Sequence, residues 1–330
     1  MTSFSVTATV VAGAQSYTSP PVTATVNASA WPDATNTGPN PALTLVQVPA
    51  QATSGTGWNY SGGMIHILTP GTKLVGLDVQ GGVANKLSGG TPYSATDCRF
   101  RLTGWSDGSV GVQLSGGTFL RCEIGGGADG QTLVRSLLTS AYGTSAAPIT
   151  FDSCNIHHGL HGIHNGGYVT VINTWIHDMA MGQAYNNGAT PNPNDHTDGD
   201  FLDTGHFIVY RHNRIQGGNQ AGLFVQNYAK TAEGTGDLSL DGNWFQTDTT
   251  DEGVAYGGPP NYGLDIENKR INGPVTVTNN VFDRTPWGQG FGQVPALGSN
   301  GQTITVTGNT FADNGASCDS LFHFQSVQYP

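Results

Sequence analysis

Charge is what this sequence has least of. Of 330 residues, 12 are Lys or Arg and 23 are Asp or Glu, 11% in all, less than half the usual share. Lys occurs only four times and there is no basic stripe. With a formal net charge of −11, the chain lacks what would neutralise phosphates, which excludes a nucleic-acid partner. The same acidity disfavours a strongly anionic polymer as ligand. No segment approaches 18 apolar residues in a row, so no membrane insertion is expected. The opening "MTSFSVTATVVAGAQSYTSP" has no Lys or Arg and no apolar run of signal-peptide length, so no signal peptide is expected. Four cysteines fix no redox compartment.

What is present in quantity is Gly (48 residues), with Thr and Asn. Gly and Asn accept the positive φ of tight turns, and Thr and Val suit strands. The composition points to an all-β chain. A short signature then recurs: "ATDCRFRL", "FLRCEIGG", "FDSCNIHH", "VINTWIHD", "VYRHNRIQ", "LDGNWFQT", "VTNNVFDR" and "VTGNTFAD". One column holds Cys98, Cys122, Cys154, Thr174, Asn213, Asn243, Asn280 and Asn309. Two residues on, an apolar column holds Phe100, Ile124, Ile156, Ile176, Ile215, Phe245, Phe282 and Phe311. Members lie 20 to 39 residues apart, and no helical period lies between them.

Strand-sized pieces at this period predict a solenoid, because a single turn is too thin to bury its own face. The expected fold is a right-handed parallel β-helix of about nine rungs over 31–315. A short β segment, 1–30, precedes it and a C-terminal cap, 316–330, closes it. An inward Asn at one corner is expected to form a buried ladder. Cys98, Cys122 and Cys154 share that column, and stacked side chains point the same way, so a reduced thiol ladder is expected rather than a disulfide.

A second strand is expected on each coil, carried by "VGVQLSGG", "TLVRS", "HGIHNGG", "DFLDTGH", "LFVQNYA" and "LDIENKR". Its inward positions are then Val112, Val134, Ile163, Leu202, Val225 and Ile266. The next residue of each points out: Gln113, Arg135, His164, Asp203, Gln226 and Glu267. On this register Asp203 stands between His164 and Gln226 on an outer strip, with Asp198 and Asp200 on the entering turn and Phe201 free to stack on a sugar ring.

The acids of "DHTDGDFLDTGH" and eight of the ten histidines fall between 157 and 212. A groove with paired carboxylates and imidazoles suits acid–base work on a polysaccharide. The candidate catalytic residues are Asp198, Asp203, His196, His164 and Asp200. The candidate substrate-binding residues are Phe201, Gln226, Glu267, Asp265 and Tyr228. Tyr185, Tyr256, Tyr262 and Trp287 are expected in loops nearby. A second reading stays open, in which "TDGD" is a solvated turn and the outward charges only keep the strands soluble. No helix is expected to carry "HHGLHGIH", so it is not a zinc motif. The Asp group suits Ca²⁺ through oxygen ligands; no other cofactor is expected.

"WPDATNTGPNPALTL" (31–45), "HTDG" (196–199) and "YRHNRI" (210–215) carry a resemblance to the right-handed β-helix proteins of the pectate-lyase-like superfamily. Within it, the chain is similar to the actinobacterial type and to minor tail proteins of actinobacteriophages. His196, Asp198, Gly199 and Asn213 stand at the family-like positions. The usual continuation after the Gly is an apolar residue and Gln; here it is Asp200 and Phe201. The resemblance implies a phage tail protein that binds, and in some cases cleaves, host cell-surface polysaccharide. Its implied partners are that glycan and other virion tail proteins, with a homotrimer as one open assembly and a virion or extracellular location. Two rivals stand beside it: a structural or adhesive virion protein without catalysis, and a free polysaccharide hydrolase or lyase. Among enzymes, hydrolysis is preferred, because carboxylates are plentiful near the strip and the cations that help β-elimination are not.

Overall fold

The computed structural model describes residues 30–85, 92–102, 109–127, 136–179, 197–202, 205–218, 220–225, 236–247, 262–267, 272–284, 290–295 and 303–325, with the backbone of four earlier strands. Residues 1–31 are a compact unit by themselves. In it Thr2–Val6 pairs antiparallel with Val22–Val26, and Thr9–Ala12 pairs with Gln15–Thr18.

Residues 32–330 form the second unit, a parallel β-helix. The chain visits three sheets in rotation, of nine, ten and twelve strands, and each new strand pairs parallel with the one a coil earlier. One turn reads Lys73–Val75, Leu77–Gln80, Gly82–Ala84, then Ser94–Thr96 back on the first sheet. An antiparallel hairpin, Ser54–Gly55 and Trp58–Ser61, extends the twelve-stranded sheet at its first edge. The nine strands of the shortest sheet match the expected number of rungs.

The repeated signature is the corner between the nine- and ten-stranded sheets. The residue before the column takes positive φ at Asp97, Arg121, Ser153, Asn173, His212, Gly242, Asn279 and Gly308. That conformation turns the chain sharply and aims the next side chain inward. Asn213, Asn243, Asn280 and Asn309 are fully buried. The backbone N–H of Asn213 donates to Oδ1 of Asn243 at 3.1 Å, and that of Asn243 donates to Oδ1 of Asn280 at 2.9 Å. Each Nδ2 also donates to a carbonyl of the coil before, as Asn213 does to Val171 at 2.8 Å. Asp319 takes the place of the next Asn, accepting from Asn309 N at 3.0 Å and Nδ2 at 2.8 Å. The three column cysteines are buried and unpaired, and their thiols donate to carbonyls such as Thr96 O at 3.4 Å.

Phe100, Ile124, Ile156, Ile176, Ile215, Phe245 and Phe282 are wholly buried beside that corner, and the rings of Phe245 and Phe282 stack at 4.8 Å. The corner Asn side chains bond within the coil stack and apolar side chains make up most of its axis, so stacking coils buries a continuous core.

Candidate functional site

A glycine recurs at one register position of the twelve-stranded sheet: Gly111, Gly162, Gly199 and Gly222. A Cβ on Gly162 would lie 2.8 Å from the Ile176 side chain and 2.4 Å from the Gly199 carbonyl. On Gly199 it would lie 3.0 Å from Ile215 and 2.5 Å from the Gly222 carbonyl. These glycines face the core where nothing larger fits. The residues before them, His161 and Asp198, therefore face out. The residues after them (Val112, Ile163, Asp200 and Leu223) face in again, and the next row (Gln113, His164, Phe201, Phe224, Asp265 and Gln293) faces out.

Two outward aspartates share this face. Asp198 is wholly buried. Its Oδ2 lies 3.2 Å from His161 Nδ1, and its Oδ1 accepts from the Ala221 N–H at 3.0 Å. Two rungs on, Asp265 is 3% exposed. Its Oδ1 accepts from Gln293 Nε2 at 2.8 Å and its Oδ2 from Gln220 Nε2 at 3.4 Å. Burial pushes the Asp265 carboxyl up to about 7; the Gln293 bond opposes this, and the charges of Glu267 and Asp198 add to it. Desolvation outweighs hydrogen bonding here because the ionised form is the one that loses water.

Aromatic rings adjoin the pair. Phe201 is half-buried, with its centroid 5.1 Å from that of His161, 5.0 Å from that of His164 and 5.7 Å from that of Phe224. His164 Nε2 shares a 3.2 Å hydrogen bond with the Tyr142 hydroxyl. Burial, then the nearby His161, lowers His164 to about 4, so at neutral pH it is an uncharged imidazole.

Asp200 is on the other side of the same strand. The expectation that Asp198 and Asp200 sit on an entering turn is corrected: both lie in the strand Asp198–Leu202. A bend at Gly199 breaks the alternation and turns Asp200 into the interior, in the row of Ile163 and Leu223. There it accepts from Asn165 Nδ2 at 3.0 Å and from the Tyr210 hydroxyl. Asn165 Nδ2 also donates to that hydroxyl at 2.7 Å. Burial raises Asp200 well above an ordinary carboxyl, and this outweighs the Tyr210 hydrogen bond. Enclosed in the axis, Asp200 has no path to a polymer on the outer face.

The expected strip is corrected in register as well. Ile163 pairs with Asp200, and Leu202 with Asn165, so His164 meets Phe201 rather than Asp203. The rung assigned to "TLVRS" is Ser136–Ala141 instead, with Thr139 opposite Val112. Asp203, His196, Gln226 and Tyr228 lie outside the described residues, as do Asp195, Val134, Arg135, Tyr185, Tyr256 and Trp287. Tyr262 lies in the strand Tyr262–Ile266 rather than in a loop. Glu267 follows that strand and is half-buried. Of the candidates, the structure thus brings together Asp198, Asp265, His164 and Phe201, and separates Asp200 from them. It adds His161, Gln220 and Gln293, which the sequence reading did not single out. The recurring pattern of any residue, Gly, then an inward residue ("VGV", "HGI", "DGD", "AGL", "YGL") was the signal that places them.

Among the described residues, no three His, Cys, Asp or Glu side chains are arranged to hold a metal ion. No protein-family model, curated protein or solved structure matches the chain.

Proposed function

We propose that the chain binds a polysaccharide along the outer face of its twelve-stranded sheet and hydrolyses it at Asp198 and Asp265. One observation carries this reading: two carboxyl groups in unlike environments share that face, two rungs apart. Rungs repeat at about 4.8 Å, so the two strands are separated by about 10 Å. Asp265 also lies three residues further along its strand than the position opposite Asp198, which is wider than a retaining pair allows, so the reaction proposed is the inverting one, with a water between sugar and base. Asp265, with its raised pKa, supplies the proton to the leaving glycosidic oxygen as the anomeric C–O bond breaks. A water attacks the anomeric carbon and passes its proton to Asp198, which His161 and the Ala221 amide hold in place. Phe201 and Tyr262 offer apolar ring faces to the sugars. Neither outer row carries Lys or Arg among its described members, which favours hydrolysis over β-elimination.

The biological setting rests on the resemblance of 31–45 and 196–199. In it the chain is a phage tail component, outside the cell, acting on host cell-surface polysaccharide and held by neighbouring tail proteins or in a trimer. One observation favours the adhesive alternative: Asp198 is wholly buried, as expected of a purely structural polar contact.

Incubation with host envelope polysaccharide separates these readings. New reducing ends without unsaturated sugars are expected. Asp198→Asn and Asp265→Asn should each slow their release by at least about 100-fold in protein that still unfolds in one cooperative transition. Unsaturated products would make the protein a lyase. Retention of polysaccharide without any cleavage would leave the adhesive reading standing.

A further inference from the structure

Residues 34–41 cross the outer face of the ten-stranded sheet. They are tied to it by Gly38 N–H to the Ser153 carbonyl at 2.9 Å and Asn40 N–H to Asp97 Oδ1 at 3.1 Å. Between those ties the segment stands off the sheet and roofs a hollow of about 1130 Å³, with Arg99, Arg101, Arg121, Glu123 and Asn155 in its wall. Three of the chain's eight arginines therefore converge on one place.

The arginines are held from behind. Asp78 and Asp97, 3% and 5% exposed, are nearly sealed beneath them. Arg101 grips Asp78 through Nε at 2.9 Å and Nη2 at 3.1 Å. Arg121 grips Asp97 through Nε at 2.8 Å and Nη2 at 2.6 Å. Arg99 donates through Nε to Glu123 at 2.8 Å. A guanidinium carries five N–H donors, and these pairs use only some of them. Among the described residues, Nη1 of Arg121 and Nη2 of Arg99 have no hydrogen-bond partner. Asn155 stands beside them in the wall, with its side-chain amide 2.7 Å from His177 Nε2; burial keeps His177 uncharged and its Nδ1 donates to Asp178 at 2.6 Å, so Nε2 accepts and the Asn155 amide is spent on it.

The wall thus offers fixed donors, and Glu123 is its one acidic side chain. Acceptor oxygens in a planar or tetrahedral group match such donors. The buried Asp78 and Asp97 offset two of the three positive charges and Glu123 the third, so the site does not attract a dense polyanion. The hollow is also larger than a bare anion needs and is of the size that takes a small organic molecule.

We infer that the hollow beneath residues 34–41 binds a small ligand carrying a single carboxylate or phosphate group, gripped by Arg99 and Arg121. The site lies on a different sheet from Asp198 and Asp265, and the inference does not rest on the hydrolytic reading.

Calorimetric titration of the full chain with cellobiouronate, inorganic phosphate and cellobiose tests it. Binding of either anion, with none by cellobiose, is expected. Binding of cellobiouronate alone assigns the carboxylate as the group recognised; binding of phosphate alone assigns the phosphate. Arg121→Lys keeps a charge for Asp97 but loses the fork, and Arg99→Lys does the same for Glu123. Each should weaken anion binding at least about tenfold in protein that still unfolds in one cooperative transition. Arg284→Gln, whose partner is Asp313, and Asp265→Asn should leave it unchanged. If neither anion binds, if cellobiose binds as well as the anions, or if binding survives both Arg121→Lys and Arg99→Lys, the inference is wrong. Loss of cleavage with this binding intact, or the reverse, tells the two sites apart.

Discussion

Asp200 and Asp265 show how one residue type acquires two roles from its side of a strand. Burial raises both carboxyl groups, but one is enclosed in the axis and the other lies on the outer face. For Asp265 the folded pKa, about 7, lies above the ordinary value of 3.8. Its contribution to stability is therefore complete below the ordinary value and is lost as pH rises through about 7. Asp265→Asn should remove that loss, so urea midpoints at pH 4 and pH 8 should lie closer together in the variant than in the parent. If hydrolysis needs the Asp265 proton, kcat/KM should fall as pH rises past about 7. Inside the axis, Tyr210→Phe removes a donor from Asp200 and should cost about 1–3 kcal/mol in urea unfolding. Asp200→Asn keeps the shape of the protonated acid and should cost less than Tyr210→Phe. A larger loss from Asp200→Asn would show that the group is ionised in the native core.

At the scale of the strand and its corner, two features decide register. The buried Asn ladder serves backbone N–H groups that no sheet reaches, so Asn243→Ala or Asn280→Ala should each cost about 1–3 kcal/mol. The glycine column is governed by contact. Gly199→Ala places a methyl group against the Gly222 backbone, which cannot swing aside, and should cost about 3 kcal/mol or more. Gly242→Ala meets nothing within 4 Å but keeps a φ of +64°, so its cost should be only the left-handed penalty of about 1–2 kcal/mol. Denaturant midpoints of the two variants check that order. The Asn corner was legible in the sequence because an inward Asn beside an inward Phe or Ile has few other uses. The outer strip was less so. Sliding Leu202 by two positions keeps it facing inward, so apolar pattern alone cannot tell Asn165 from Ile163 as its neighbour. Aligning Gly111, Gly162, Gly199 and Gly222 would have fixed the choice and placed Phe201 beside His164. Nothing in the alternation of "DGDFL" marks the bend at Gly199 that turns Asp198 outward and Asp200 inward. The pairing of Asp198 with Asp265 spans two coils whose connecting segments vary in length, and no local period records it.

At the scale of the whole molecule, residues 1–31 and the β-helix are separate compact units, which predicts independent folding. Deleting residues 1–30 should leave far-UV circular dichroism and the thermal midpoint of the helix unchanged. If the segment serves attachment, light scattering should show that the shortened chain no longer joins its assembly. A parent chain already monomeric, with its assembly unaffected by the deletion, would remove the attachment role. The Asn ladder has a consequence at this scale too. From Thr174 through Asn213, Asn243 and Asn280 to Asn309, each backbone N–H donates to the member one coil nearer the C-terminal end. Bond dipoles aligned head to tail add and polarise one another. The column is thus an axial macrodipole in a protein without a long helix among its described residues, and its positive pole meets the Asp319 carboxylate. Asp319 does for this β-solenoid what an acidic residue does at a helix N-terminus. Asp319→Asn, which keeps an acceptor and loses the charge, should cost roughly 0.3–1 kcal/mol at low ionic strength, and added salt should erase that cost while leaving the interior Asn→Ala penalties in place.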